Sequence, residues 1–157
     1  MNPAITITFY LSAATGGFMD IYTGSFQINT KGETDIIDIT EKIRSVLEKS
    51  GLKSGSLTVF ISGSTVGITT IEYESGVVKD LKDAYERIAP RNADYEHNSR
   101  WGDGNGYAHI RASLTGQDLT VPFSHGNMIT GTWQQIILID FDNCSRTREC
   151  TVQVIGI

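Results

Sequence analysis

The chain has 157 residues, of which 39% are hydrophobic and 20% are charged. This length suits one domain with a buried core, and the composition is that of a globular protein rather than a disordered or fibrous one. The net charge is -5 and no basic stretch could follow a phosphate backbone, so nucleic acid is not an expected partner. No apolar run reaches the roughly 20 residues that span a bilayer. We therefore expect a cytoplasmic protein with no membrane partner.

Strands are predicted at the start of the chain. Residues 5–11 and 26–29 alternate apolar side chains with polar or β-favouring ones, which is the period of a half-buried strand. The glycines at positions 16–17 favour a turn between the two. Further strands are expected at residues 57–61, which form a short β-branched run, and at residues 67–73.

Two main helices are predicted among these strands. The first runs from about Thr40 to Ser50 with its apolar residues on one face, and a glycine follows it directly. Asp38 and Glu41 have the spacing of a capping box at its start. The second has apolar residues at helical spacing over positions 81–88, and it must end before Pro90.

A long polar segment follows at residues 91–106. It is rich in Asn, Asp, Arg and Gly, and its only large apolar groups are Tyr95 and Trp101. We predict a loop here, and a loop of this length inside a compact domain usually serves a binding or catalytic site. The later predicted elements are a short helix at 108–114, strands at 119–123 and 128–141 around a turn, and a last strand at 151–157.

These elements predict an α+β fold. We expect a single domain over residues 1–157, with a large mixed, mainly antiparallel β-sheet and two main helices. The strands and helices do not alternate as repeating βα units, and no Gly-rich phosphate fingerprint follows a strand. A doubly wound parallel fold is therefore disfavoured.

Histidine is a better candidate for chemistry than cysteine in this chain. Cys144 and Cys150 flank a predicted hairpin loop, where a disulfide is geometrically compatible, but two free thiols without a catalytic role are expected. His97 and His109 bracket the polar loop, and imidazoles are common metal ligands and acid-base groups. The alternative is that one is a solvated loop residue and the other packs against a short helix. His125 falls in the predicted turn, where an exposed histidine is ordinary.

Three motifs carry a family resemblance by their order and spacing. They are Tyr-Glu-His at residues 95–97, the stretch DGNGYAHIRASL at residues 103–114, and Gly-Thr-Trp-Gln at residues 131–134. With them the chain resembles the YjbQ-type family, often described as secondary thiamine-phosphate synthases, over nearly its whole length. The resemblance implies an α+β fold with a large mixed sheet, a homotrimer, and a pocket near the subunit interfaces.

The resemblance also implies an activity and a set of site residues. The implied enzyme joins a hydroxymethylpyrimidine diphosphate to a thiazole phosphate and releases pyrophosphate. The motif positions imply catalytic roles for His97, Asp103, His109 and Arg111. They imply substrate contacts by Trp101, Asn105, Ser113, Thr132, Trp133 and Gln134. Plain alternatives exist for two of these, because such an arginine is more often an ion-pair partner and a tryptophan in an apolar strand is more often core.

The resemblance further implies a divalent ion, zinc or magnesium, at His97 and His109. A further histidine of the family is replaced here within residues 63–66, so Glu72 is the expected third ligand, with Glu74 or water as alternatives. The two glutamates can instead lie on one solvated face of a strand. Two other functions stay open: a metal-dependent hydrolase or phosphotransferase of another small phosphorylated metabolite, and a non-catalytic trimer that binds a metal or such a metabolite.

Overall fold

The computed structural model describes residues 18–157, which form two antiparallel sheets and four helices. The α+β prediction is confirmed, although the strands divide between two sheets. The predicted strand at residues 5–11 and the turn at 16–17 lie outside the described residues. The elements in chain order are β1 Asp20–Thr30, β2 Asp35–Asp38, α1 Thr40–Ser50, β3 Ser54–Ile61, β4 Val66–Ile71, α2 Ser75–Ile88, α3 Glu96–Trp101, α4 Gly106–Thr115, β5 Asp118–Ser124, β6 Asn127–Met128, β7 Gln135–Asp140 and β8 Arg146–Gly156.

The larger sheet has five strands in the order β1, β8, β3, β5, β6. The last strand, β8, lies inside this sheet, because it pairs with β1 on one side and with β3 on the other. It also begins at Arg146, earlier than the predicted residue 151. Alternate residues of β3, such as Leu57, Val59 and Ile61, are buried in the core, as the period of a half-buried strand requires.

The smaller sheet has three strands in the order β2, β7, β4. Its central strand, β7, is an apolar run in which Ile136 and Leu138 belong to one hydrophobic cluster, and Ile137 and Ile139 belong to another. Successive side chains of a strand point to opposite faces, so both faces of this strand are buried. The small sheet therefore lies between the core of the five-stranded sheet and a layer of helices.

The first cluster includes the apolar face of α1. Ile43, Val46 and Leu47 are buried there against strands of both sheets. The helix bounds match the prediction, and the glycine after Ser50 ends the helix with a left-handed φ of 71°. The predicted capping box is wrong, because Asp38 is the last residue of β2 and its carboxylate accepts the N–H of Thr40 at 2.9 Å instead.

The second cluster lies between the small sheet and the helices α2 and α4. Tyr107, Ala108 and Ala112 of α4 are buried here beside Tyr85 of α2. The second main helix ends at Ile88, before the proline as predicted, and α4 covers the short helix predicted at residues 108–114. The layer that carries α4 thus has a rigid apolar base.

Two sequence predictions in the second half of the chain are wrong. The polar segment at residues 91–106 is not a simple loop, because it contains the six-residue helix α3. The predicted strand 128–141 is two separate strands, because β6 ends at Met128 in the large sheet and β7 starts at Gln135 in the small one. An apolar run does not reveal which sheet each of its parts will join.

The two cysteines lie in different environments. Cys144 is exposed, Cys150 is buried, and both are free. The segment before Cys150 is not a hairpin loop, however, since it joins β7 and β8, which belong to different sheets. No helix within residues 18–157 is long and apolar enough to cross a membrane.

Candidate functional site

Helices α3 and α4 bring His97 and His109 side by side. Their ring centroids are 4.4 Å apart and the ring planes are inclined by 47°. The two residues are separated by twelve positions, and the turn at residues 102–105 reverses the chain between them. The proximity expected from the sequence is therefore present.

The short sequence between the helices explains this close approach. Gly102 ends α3 with a left-handed φ of 70°, and its N–H donates to the carbonyl oxygen of Asn98 at 2.8 Å. The side-chain oxygen of Asn98 then accepts the N–H of Gly106 at 2.8 Å. A Cβ on Gly106 would lie 2.6 Å from the Cβ of Tyr95, so only glycine allows the two helix starts to come this near.

Asp103 lies in this turn and its carboxylate holds the His97 ring. The distance from Asp103 Oδ2 to His97 Nε2 is 3.0 Å, so Nε2 carries the proton of this hydrogen bond. Burial raises the pKa of the Asp103 carboxyl, but the His97 ring and the backbone N–H of Asn105 lower it more, and the net pKa is below the ordinary value. An ionised carboxylate in this position orients the imidazole.

A cavity of about 580 Å³ opens beside His97. Its lining residues come from α3: Glu96, His97, Ser99, Arg100 and Trp101. His97, Arg100 and Trp101 are three and four positions apart and so share one side of the helix. The Trp101 side chain is 70% exposed. The cavity therefore offers an imidazole, a hydroxyl, a cation and an aromatic face together.

Arg111 lies apart from this cavity. It is 3% exposed and its guanidinium donates to Glu86 Oε2 at 2.5 Å, Thr34 Oγ1 at 2.9 Å and the Ala89 carbonyl oxygen at 2.8 Å. A two-residue step turns an α-helix by about 200°, so Arg111 and His109 point to opposite sides of α4. The structure gives this arginine the ion-pair role, and it does not bring it to the histidines.

Two further expected substrate contacts lie on or next to α4. Ser113 is exposed one turn after His109, on the same side of the helix. Asn105 is buried, and its Nδ2 donates to Asp142 Oδ1 at 3.3 Å. The side-chain oxygen of Asn105 and the hydroxyl of Tyr107 are buried without a hydrogen-bond partner among residues 18–157.

The remaining expected site residues lie in other parts of the fold. Thr132, Trp133 and Gln134 lie between β6 and β7, and Gln134 Nε2 donates to Thr70 Oγ1 at 3.2 Å, at the end of β4. Trp133 is 70% exposed, so the alternative that it belongs to the core is wrong. These residues do not line the cavity beside His97.

The expected metal ligands are not assembled. Glu72 is exposed just beyond the end of β4, and the Glu74 carboxylate accepts the N–H groups of Gly76 and Val77 at the start of α2. The alternative of a glutamate pair on one strand face is also wrong, since β4 ends at Ile71. Within residues 18–157, no group of three or more His, Cys, Asp and Glu side chains could hold a metal ion. The donor set thus falls short of the three protein ligands of a typical catalytic zinc site.

Sequence reasoning missed several residues of the site. Glu96, Ser99 and Arg100 were overlooked because the six residues of α3 are too few to show a helical period. The glycine at position 102 was a usable signal, since glycine in the left-handed region commonly ends a helix. Asn143 touches the Asp103 backbone from 40 positions away, and no local pattern points to it.

Comparison with known proteins now decides the family. The family model described as UPF0047 protein YjbQ-like matches residues 24–157. The chain belongs to this family. The YjbQ-type resemblance found in the sequence motifs is thereby confirmed.

Relatives of this YjbQ-like chain are similar over most of their length. A UPF0047 protein of Methanothermobacter thermautotrophicus is 39% identical over 90% of this chain and 96% of its own. The UPF0047 protein YugU of Bacillus subtilis is 33% identical over 84% of this chain and 98% of its own. A crystal structure of a YbjQ-like protein of unknown function from Sulfolobus solfataricus has a TM-score of 0.85 and 29% identity, and covers 89% of this chain and 100% of that one.

These findings correct the expected activity. The UPF0047 names of the two relatives carry no activity, and the Sulfolobus structure is described as that of a protein of unknown function. Membership of the YjbQ-like family therefore does not supply a thiamine-phosphate synthase, and that expectation is wrong. The function has to be argued from the residues of the site.

Proposed function

We propose that this chain binds a small phosphorylated metabolite at the histidine site, which we define as His97, Asp103 and His109 with the cavity-lining residues of α3. The observation that carries the proposal is the pair of imidazole rings 4.4 Å apart, one of them held by a carboxylate at 3.0 Å. The sequence motifs imply the same class of partner.

The orientation of the His97 ring leaves one of its nitrogens for a ligand. Because Nε2 faces Asp103, the nitrogen left for a ligand is Nδ1. Arg100 in the same lining carries a guanidinium, and a charged donor binds phosphate oxygens about twice as strongly as a neutral one. His109 can act on the same phosphate because its ring lies against that of His97.

The cavity favours a small metabolite over a bare anion. Its volume of about 580 Å³ lies within the range of small-molecule sites. Glu96 and Arg100 carry opposite charges in the lining, so the attraction for an anion comes from the side of the cavity where Arg100 lies. Trp101 offers a flat apolar surface on which an aromatic or sugar group can pack.

The proposed binding does not require a metal ion, since two imidazoles alone do not make the expected three-ligand set. The expected zinc or magnesium ion is tested directly by measuring the metal content of the purified protein and of each histidine variant. One equivalent of metal per chain in the wild type, absent from the His97 variant, would show that the site binds a metal rather than a phosphate.

The proposal is tested by titration calorimetry with inorganic phosphate and pyrophosphate, with sodium chloride as the control for ionic strength. His97→Asn and His109→Asn should each weaken pyrophosphate binding by about 10- to 100-fold, the value of one hydrogen bond to a charged group. The double variant should lose less than the two single losses combined, because both rings act on one ligand.

His125→Asn is the matched control. This residue lies in the turn between β5 and β6 with a left-handed φ of 53°, which asparagine tolerates. It should bind like the wild type. No binding by the wild type, or equal binding by His97→Asn, His109→Asn and His125→Asn, would defeat the proposal.

We also propose that the chain self-associates as a homotrimer. The motif resemblance implies this assembly, and large apolar side chains are exposed on the surface, among them Ile88, Leu114, Ile129 and Trp133, whose burial against other copies would remove apolar area from water. Light scattering should give three times the chain mass of 17.2 kDa. A mass of one chain at micromolar concentration would contradict this proposal and leave the histidine site unaffected.

A further inference from the structure

The connection between β7 and β8 contacts the turn that carries Asp103. In this connection, Asn143 Nδ2 donates to the backbone carbonyl oxygen of Asp103 at 2.7 Å. The preceding residue, Asp142, accepts a hydrogen bond from Asn105 Nδ2 at 3.3 Å. Two consecutive residues of the connection therefore hold the two ends of the segment 103–105.

The connection itself is anchored in the core. Asp142 is 2% exposed, and its carboxylate accepts from Arg146 Nε at 2.8 Å and from Thr65 Oγ1 at 3.3 Å. The backbone N–H of Asn143 donates to Asp142 Oδ1 at 2.9 Å. A buried, multiply bonded carboxylate is a rigid support, because moving it would leave several polar groups unpaired.

The turn has few restraints of its own. Gly102 and Gly104 adopt left-handed φ values of 70° and 69°, and Asp103 between them is exposed. The N–H of Gly102 is fixed by its hydrogen bond to the Asn98 carbonyl oxygen, but glycine allows many backbone conformations, so a contact from outside the turn adds to its restraint. Among the described residues, the Asn143 amide is the side chain that donates to the Asp103 carbonyl oxygen.

We propose that Asn143 is a positioning residue for the histidine site. Its amide holds the backbone of Asp103, and the held backbone keeps the carboxylate on Nε2 of His97, so that the ring stays against His109. The inference rests on the proposed function, because it assigns Asn143 a part in preparing the site for its ligand. A ring held in place before binding loses less conformational entropy when the ligand arrives.

The test measures the nuclear Overhauser effect between the ring protons of His97 and His109, together with the melting temperature. Asn143→Ala and Asn143→Asp both delete the amide donor, and the aspartate keeps the size of the side chain. In each, the ring-to-ring effect should fall to about half or less as the freed ring samples other rotamers. Asp103→Ala should cause the same fall. Asn127→Ala is the matched control, because its Nδ2 also donates to a backbone carbonyl oxygen, that of His125, in a distant turn.

An unchanged ring-to-ring effect in both Asn143 variants, or in Asp103→Ala, would overturn the proposal. Loss of the fold in both Asn143 variants would also overturn it, since Asn143 would then be a structural residue. Pyrophosphate binding by the wild type is measured in parallel. Its absence would defeat the proposed function, whereas the ring-to-ring effect would still decide the role of Asn143.

Discussion

Replacing Arg148 by methionine should be one of the most destabilising single changes in this fold. The Arg148 guanidinium donates from Nε to Asp140 Oδ2 and from Nη2 to Asp140 Oδ1, both at 2.7 Å, and Nη2 also bonds Thr65 Oγ1 at 2.8 Å. The Asp140 carboxylate is fully buried. Without the arginine, the donors that remain for it among residues 18–157 are the Thr30 hydroxyl at 2.5 Å and the N–H of Asp142 at 3.1 Å.

The expected magnitude follows from this burial. Removing one partner of a buried ion pair leaves an uncompensated charge in the interior and costs about 3–5 kcal/mol. Arg44→Met is the matched control, because Arg44 pairs with Glu41 on the exposed side of α1, where such a pair is worth about 1 kcal/mol or less. The double change Asp140→Asn with Arg148→Met should lose less stability than Arg148→Met alone, since no buried charge is then left unpaired.

The assay is equilibrium unfolding in urea, followed by circular dichroism at one fixed protein concentration, because self-association would make stability depend on concentration. The free energy of unfolding should fall in the order wild type, Arg44→Met, double variant, Arg148→Met. A loss below about 1 kcal/mol in Arg148→Met, similar to the control, would refute the reasoning, because the pair would then behave as an exposed one.

Three further changes test other parts of the structure. Tyr107→Phe should leave stability unchanged or raise it by up to about 1 kcal/mol in thermal melts, because the hydroxyl has no partner within residues 18–157, and a clear loss would mean that it has one. Burial raises the pKa of Asp142, but its hydrogen bonds from Arg146 and Asn105 lower it below the ordinary value, so its stabilising contribution is present above about pH 4 and is lost as the pH falls through the folded pKa. Acid unfolding of Asp142→Asn should therefore depend less on pH than that of the wild type, and equal slopes would contradict this. Burial raises the pKa of the Cys150 thiol to about 12, so a thiol reagent should label only Cys144 in the folded protein and both cysteines in denaturant, whereas two labelled thiols in the folded state would contradict the burial.

Local sequence patterns predicted the elements whose formation depends on residues that are close together in the chain. The helix at Thr40–Ser50 has an apolar stripe and a terminal glycine, and its bounds came out as expected. Helix α3 escaped prediction because six residues hold less than two turns and show no period. The pattern at residues 128–141 predicts one strand, whereas the structure has β6 in one sheet and β7 in the other. Alternation indicates a strand but not the sheet that the strand joins.

Some features of the candidate site were likewise predictable from the sequence, and others were not. Sequence motifs singled out His97 and His109, and chain reversal at the glycines between α3 and α4 brings the backbones of the two helices together. Arg111 belongs to the same motif, yet its partners are Glu86, Thr34 and Ala89, and only the packing of α2 against α4 decides that.

The sequence by itself therefore determined the class of fold, the family, the main helix and the two histidines. Each of these is recognised from short motifs or from local periodicity in the chain. Tertiary structure alone decided that Asp142 and Asn143 reach the turn at residues 103–105, that β8 lies inside its sheet, and that β7 is covered on both faces. These contacts join residues that are far apart in the chain. Which of them form depends on how all the layers pack together, and no short stretch of sequence contains that information.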